Sequence, residues 1–159
     1  MRKKTLYLAG GLFNAGERLH NLYLEKYLKA LGHEVILPQR EALKYRKGEQ
    51  FNMGSLRKAC EREATNPNNI YVGNIDGPDA DSGTCVEYGM VMATTRRAIV
   101  CRTDIRTVVE KELGINAMLC MKGTTLVLSQ CSFTELDQVE DFYKDLAHKI
   151  HMAVSKFAD

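Results

Sequence analysis

The sequence has few cysteines, and they show no arrangement that would build a covalent or metal framework. The five cysteines are odd in number, and no two have C-x-x-C spacing. This pattern excludes a disulfide-rich scaffold and argues against a zinc site. It is typical of reduced thiols, so we expect a cytoplasmic protein, and nothing in the sequence predicts a metal or another cofactor.

Long hydrophobic runs and an excess of charge of one sign are also missing. The apolar run behind the basic residues at positions 2–4 is short and ends at Gly10-Gly11, too short for a signal peptide or a membrane span. The 22 Lys and Arg residues nearly balance the 20 Asp and Glu residues and are scattered along the chain. A nucleic-acid partner is therefore disfavoured, and small molecules are the expected ligands.

Internal repeats and low-complexity tracts are absent, and 159 residues suffice for one domain with its own core, spanning residues 1–159. Short apolar runs alternate with segments of helical periodicity. This alternation predicts an α/β fold: a doubly wound, flavodoxin-like or Rossmann-like sheet of five parallel strands with helices on both faces. The predicted strands are 5–9, 34–37, 70–75, 98–101 and 124–128, and the predicted helices are 17–31, 55–64, 84–95, 108–113 and 136–150. Residues 39–41 are expected to form a polar loop, and 45–50 a mobile loop.

An acidic stretch at residues 74–89 follows the third predicted strand and leads into a helix. It gathers Asp76, Asp79, Asp81 and Glu87 near Gly77. Like charges held close together are unfavourable, so this crowding suggests polar chemistry, although a solvated acidic turn with ordinary helix caps is the alternative. In open α/β sheets the carboxyl ends of the strands form the ligand crevice, so we expect a single pocket there.

Four segments resemble the nucleoside 2-deoxyribosyltransferase family. YLAGGLF at 7–13 is similar to its opening strand and loop, and DSGTCVEYG at 81–89 is similar to its D-x-G-T-x-x-E-x-G signature. RTDIR at 102–106 resembles the loop after the fourth strand, and NAM at 116–118 resembles its Asn-Leu-Met motif. The combination extends over most of the chain.

The resemblance implies retaining glycosyl transfer, a step in nucleoside salvage. Glu87 is then the nucleophile that attacks C1′ of a 2′-deoxynucleoside, and a second purine or pyrimidine base collects the sugar from the covalent ester. Tyr7 is expected to orient Glu87 by a hydrogen bond and to keep it ionised. Asp81 is expected to hold the sugar and its 5′-hydroxyl, which favours nucleosides over nucleotides because a carboxylate repels a phosphate.

Other residues take substrate-binding roles on the same resemblance. Asn116 and Met118 are expected to reach into the site of an adjacent subunit, which implies a homo-oligomer: a dimer, tetramer or hexamer. The remaining expected substrate contacts are Gly10, Gly11, Phe13, Gln39, Asp76 and Gly83.

The sequence departs from the family pattern at the general acid, the residue that protonates the leaving base. Members usually carry an Asp on the helix before the third strand, but residues 66–69 look like an insertion. Counting back from Ile70 without a gap places Glu61 at the position of this Asp, and allowing for the insertion places Ser55 there. If Ser55 holds the position, the proton for the leaving base is expected to come from Asp81, Glu41 or water. A 2′-deoxynucleoside or nucleotide N-glycosidase, and a non-catalytic nucleoside-binding module, remain as alternative functions.

Overall fold

The computed structural model describes residues 3–48, 50–106 and 114–157. Its strands, in chain order, are β1 (Thr5–Ala9), β2 (Glu34–Ile36), β3 (Arg46–Lys47), β4 (Gln50–Phe51), β5 (Asn69–Asn74), β6 (Ala98–Arg102) and β7 (Thr125–Leu128). Five of them form a parallel sheet in the order β2-β1-β5-β6-β7, and β3 and β4 form a separate antiparallel hairpin. The expected five-stranded α/β fold is confirmed.

Helices cover both faces of the sheet. They are α1 (Ala15–Ala30), α2 (Pro38–Glu41), α3 (Met53–Ala64), α4 (Ser82–Ala93) and α5 (Val139–Val154), with 3-10 turns at Ala42–Tyr45, Ala117–Leu119 and Leu136–Gln138. Within the described residues, no helix combines the length and the apolar character that crossing a membrane requires.

Alternation along β1 separates two apolar clusters. Leu6 and Leu8 are buried in the cluster that packs against α1 and α5. Tyr7 points to the other face and packs with Tyr71 and Tyr88, beneath α3 and α4. Because successive strand residues face opposite sides, one strand contributes aliphatic side chains to one layer and Tyr7 to the other.

The chain reverses its direction of winding between β1 and β5, the two strands that pair at the centre of the sheet. Ala9 is paired with Gly73, so Gly10 follows β1 beside Asn74, the last residue of β5. A Cβ atom at Gly10 would lie 3.2 Å from Cβ of Asn74, which requires a small residue there. The crevice at such a switch point is where open α/β sheets bind ligands.

Two loop predictions were wrong. Residues 39–41 belong to α2, because Pro38 has a backbone already set for the first helical position. The segment expected as a mobile loop over 45–50 instead contains the end of a 3-10 turn and parts of the β3-β4 hairpin. The predicted helix at 108–113 lies outside the described residues.

Helix boundaries moved where a cap was not recognised. Asn14 and Glu17 bond reciprocally to each other's backbone, so α1 begins at Ala15. Asp81 caps α4 by accepting from the backbone N–H of Thr84, without a reciprocal bond, and the helix begins at Ser82. Gly32, with φ of +89°, follows the end of α1 as expected of a C-terminal glycine.

A histidine pair joins α5 to the residue that precedes β2. Nε2 of His33 lies 2.8 Å from Nδ1 of His151, and His33 is buried. Burial lowers the pKa of His33, and the neighbouring His151 lowers it further; burial also lowers the pKa of His151. The fold therefore favours the neutral forms of both rings.

Candidate active site

Tyr7 and Glu87 form the centre of the site. Tyr7 is 1% exposed, and its hydroxyl donates a 2.8 Å hydrogen bond to Oε1 of Glu87, a half-buried residue of α4. The Tyr7 ring stacks against Tyr71 with centroids 6.2 Å apart, and the Tyr71 hydroxyl donates to the carbonyl of Thr84. The aromatic layer thus fixes the donor that orients the Glu87 carboxylate.

The environment of Glu87 favours its neutral form. Burial raises the pKa of Glu87 to about 7, the Tyr7 hydrogen bond opposes that rise, and the charge of Asp81 adds to it. Tyr7 itself has a pKa well above the ordinary value, mainly because of burial and then because of Glu87, so its hydroxyl remains a donor. At neutral pH the carboxyl group of Glu87 is poised between its two protonation states.

Asp81 lies at the N-terminus of the helix that carries Glu87. Its Oδ2 accepts from the backbone N–H of Thr84 at 2.9 Å and from the Thr84 hydroxyl at 3.0 Å. A Cβ atom at Gly83 would lie 3.2 Å from that oxygen, so a glycine keeps the cap undisturbed. No residue in the described ranges bonds to Oδ1 of Asp81, which leaves this oxygen available to a ligand.

The loop after β1 encloses a carboxylate of its own. Oε2 of Glu17 accepts from the backbone N–H groups of Phe13 and Asn14, at 2.7 and 3.2 Å. A Cβ atom at Gly11 would lie 2.5 Å from Cδ of Glu17, so only glycine fits there without displacing that carboxylate. Phe13 is 79% exposed and gives this loop an apolar surface.

Gln39 is placed at the expected edge but is buried, at 5% exposure. Its Oε1 accepts from Asn21, and its amide nitrogen donates to the carbonyl of Arg18 at 3.4 Å. Asn21 also donates to the carbonyl of Gly11. The amides of Gln39 and Asn21 therefore hold α2, α1 and the loop after β1 together.

Asp76 organises the neighbouring loop. Its carboxylate accepts from the backbone N–H groups of Thr103 and Asp104, at 2.6 and 2.9 Å, and from the Thr103 hydroxyl. Asp104 in turn accepts from the N–H of Gly77 at 3.0 Å and pairs with Arg106. Hydrogen bonds to Arg106 hold the pKa of Asp104 below its usual range.

The two candidates for the general acid lie on α3, but neither is bonded to Glu87 in the described structure. Glu61 pairs with Arg57 at 2.9 Å, and Ser55 is exposed in the first turn. The α3 residue next to Tyr7 is Cys60: burial raises the pKa of its thiol, the Tyr7 hydroxyl lowers it, and the charge of Glu87 raises it. The sequence offered no signal for Cys60, because a lone helical cysteine belongs to no motif.

Asn116 and Met118 lie on the other side of α4 from Tyr7. They border a cavity of about 330 Å³ that is also lined by Cys85 and Gly89 but not by Glu87. Asn116 caps its own 3-10 turn by accepting from the N–H of Met118, and the Met118 side chain is 64% exposed. Within one chain these two residues thus face outward.

The carboxyl edge of the sheet is divided rather than occupied by the single pocket expected. The cavity beside Asn116 and a second cavity of about 670 Å³ beside α5 share Arg102 in their linings. Arg102 is buried and donates to the carbonyls of Ile75 and Gly77, at 3.0 and 3.4 Å, so its guanidinium forms part of the partition. Within the described ranges, no group of three or more His, Cys, Asp and Glu side chains is placed to hold a metal ion.

Comparison with known proteins gives one family. The family model described as nucleoside 2-deoxyribosyltransferase matches residues 6–118. Among solved structures, a conserved protein from Enterococcus faecalis is 19% identical over 96% of this chain and 99% of its own, with a TM-score of 0.68. A 2-deoxyribosyltransferase from Bacillus psychrosaccharolyticus is 22% identical over 86% of this chain and 90% of its own, with a TM-score of 0.56. A search of curated proteins finds no match. The family match extends over most of the chain and includes Tyr7, Asp81 and Glu87, and the chain therefore belongs to the nucleoside 2-deoxyribosyltransferase family.

Proposed function

We propose that the protein is a nucleoside 2-deoxyribosyltransferase that exchanges the bases of 2′-deoxynucleosides through a covalent intermediate on Glu87. Family membership supports a glycosyltransferase-type enzyme acting on nucleosides. The observation that carries the proposal is the 2.8 Å hydrogen bond from the buried Tyr7 hydroxyl to Glu87. A half-buried carboxylate oriented in this way is suited to attack an electrophilic carbon.

In the first step, a carboxylate oxygen of Glu87 bonds to C1′ while the bond between C1′ and the base nitrogen breaks. The electron pair stays on the base, which takes a proton. In the second step, a nitrogen of the incoming base bonds to C1′, the ester bond breaks with its electrons returning to Glu87, and that nitrogen loses its proton. Two inversions at one carbon retain the configuration.

Water is the proposed source of the proton for the departing base. A carboxylate oxygen of Glu61 pairs with Arg57, and Ser55 has no acidic proton to donate. Oδ2 of Asp81 already accepts two hydrogen bonds from Thr84, and Glu41 pairs with Lys44. The free Oδ1 of Asp81 is proposed to accept a hydrogen bond from a sugar hydroxyl instead.

We propose an unphosphorylated nucleoside as substrate because the anion position near Gly11 is already filled. The N-terminus of a long helix attracts phosphate groups through its free N–H donors. In this chain the Glu17 carboxylate accepts from two N–H groups at that place. The carboxylate of Asp81 would in addition repel a phosphate on a sugar that it binds. Basic residues of α1 and α2 are engaged as well: Arg18 donates to the carbonyl of Leu12, and Arg40 pairs with Glu25.

The site is proposed to be completed across an interface of a homo-oligomer. Asn116 and Met118 are exposed and border the face of α4 away from Glu87, so they are free to meet a second chain. An amide and a thioether from a partner would supply a hydrogen bond to the sugar and an apolar contact to the base. The proposed setting is cytoplasmic nucleoside salvage.

The test is incubation with a 2′-deoxynucleoside, with and without a second free base, followed by chromatography. A new nucleoside supports transfer, free deoxyribose alone identifies a hydrolase, and the absence of turnover identifies a binding module. Glu87→Gln should abolish the reaction, whereas Glu61→Gln, a matched change on α3, should retain it. A slow 2′-fluoro-arabinosyl nucleoside should add one sugar to the peptide containing Glu87, and labelling of a different residue contradicts the assignment.

A further inference from the structure

A cavity of about 670 Å³ lies at the carboxyl ends of β6 and β7, beside α5. Its volume is in the range of sites for small molecules. Neither Tyr7 nor Glu87 lines it, and its α5 residues place it on the face of the sheet away from α4. The residues used below are Arg102, Arg106, Phe133, Phe142, Asp145 and Lys149.

One wall contains a buried donor without a partner. Arg102 is 5% exposed, and its terminal nitrogens donate to backbone carbonyls, but Nε has no hydrogen-bond partner among the described residues. A buried donor left unpaired destabilises a fold, so a small movement of the Arg102 side chain that brings Nε to an acceptor on a ligand would relieve that cost.

The charges around the cavity favour an anion. The lining contains three cations, Arg102, Arg106 and Lys149, and two carboxylates, Asp104 and Asp145. Lys149 bonds to Asp145 at 2.7 Å and to the Ser129 hydroxyl at 3.0 Å, so one of its three ammonium hydrogens is left for a ligand.

The remaining wall is aromatic. Phe133 and Phe142 meet edge to face, with ring centroids 5.4 Å apart and planes at 63°. Phe133 is 38% exposed, so part of its ring surface is not covered by protein. Aromatic walls of this kind pack against planar rings.

We propose that this cavity is a second ligand site, separate from Glu87, that binds a small molecule with a planar aromatic ring and a phosphate monoester, the chemistry of a nucleoside monophosphate. The ring packs on Phe133, and the phosphate is bound by Lys149 and Arg102. This site does not depend on the reaction at Glu87, and its test requires no turnover.

The experiment is titration of the full chain with uridine 5′-monophosphate, followed by calorimetry or ligand-observed NMR. Lys149→Glu places a negative charge beside the proposed phosphate and should weaken binding by about tenfold or more. Lys144→Glu is the matched control, because Lys144 is on the same helix, is paired with Asp141 at 2.8 Å and does not line the cavity. Phe133→Ala should also weaken binding, and Glu87→Gln should leave it unchanged.

Four results would overturn the proposal. They are no binding at millimolar ligand, an equal loss in Lys144→Glu, a loss in Glu87→Gln, and inorganic phosphate binding as tightly as the nucleotide. The last would show that the aromatic wall contributes nothing. Circular dichroism of each variant confirms that the chain is folded before it is titrated.

Discussion

Replacing Tyr7 by Phe removes the one described hydrogen bond to the Glu87 carboxylate while keeping the ring that stacks on Tyr71. Hydrogen bonds to charged groups contribute about 1.5–3 kcal/mol, and a tenfold change in an ionisation equilibrium corresponds to about 1.4 kcal/mol. Without this bond the pKa of Glu87, about 7 in the intact site, should rise to roughly 8 or 9. The ionised fraction at pH 7 then falls by roughly five- to fiftyfold, and with it kcat/KM.

The assay is the pH profile of kcat/KM for base exchange. The acid limb should lie near pH 7 for the wild type and move to higher pH for Tyr7→Phe, with activity recovering as the pH is raised. Tyr71→Phe is the matched control: its hydroxyl donates to the Thr84 carbonyl, so its loss should lower stability without moving the limb. An unchanged limb in Tyr7→Phe would refute the conclusion that Tyr7 favours the ionised form of Glu87.

Three further predictions concern the interface, the substrate and pH. Chains carrying Glu87→Gln or Asn116→Ala should each be nearly inactive in a base-exchange assay. Hybrids formed by co-refolding the two chains should regain activity, because some of their shared sites carry neither substitution. A protein that is monomeric by light scattering and fully active would contradict shared sites. Repulsion between Asp81 and a 5′-phosphate costs up to about 4 kcal/mol per unit charge before screening. Asp81→Asn should therefore reduce the ratio of kcat/KM for the nucleoside to kcat/KM for the nucleotide. A wild-type enzyme with the higher kcat/KM for the monophosphate would contradict this. The pKa values of His33 and His151 are lowered in the fold, so at these two groups the unfolded chain binds more protons; their contribution to the free energy of unfolding should be fully present above about pH 6.5 and fall below it. Glu87, whose pKa is raised, takes up a proton in the folded chain over the same range and opposes this loss, so the titrations use a Glu87→Gln background. Denaturant titrations of that variant at pH 8 and pH 5.5 should show the loss, and adding His33→Gln should reduce it; an equal loss in the double variant would assign it to other groups.

The sequence by itself determined the fold and the family. Short apolar runs separated by helical periodicity predict parallel strands and crossovers, because strand and helix periods are local properties of the chain. The D-x-G-T-x-x-E-x-G motif also predicted Glu87 as the nucleophile, because the spacing of the motif can be read directly from the sequence. The sequence predicted the ends of the helices less well, because the caps by Asn14 and Asp81 depend on the orientation of their side chains.

Only the tertiary structure decided how the edge of the sheet is divided. Gln39 was predicted to lie in a polar loop, but Pro38 starts a helix that turns the amide toward Asn21, 18 residues away in the sequence. Burial in the packed chain raises the pKa of Glu87 to about 7, and the hydrogen bond that opposes this rise comes from Tyr7, 80 residues away in the sequence. Cys60 beside Tyr7, and the cavity at Lys149, likewise arise from contacts between separate elements. Desolvation, hydrogen-bond partners and cavities are properties of the packed chain, so local sequence patterns do not contain them.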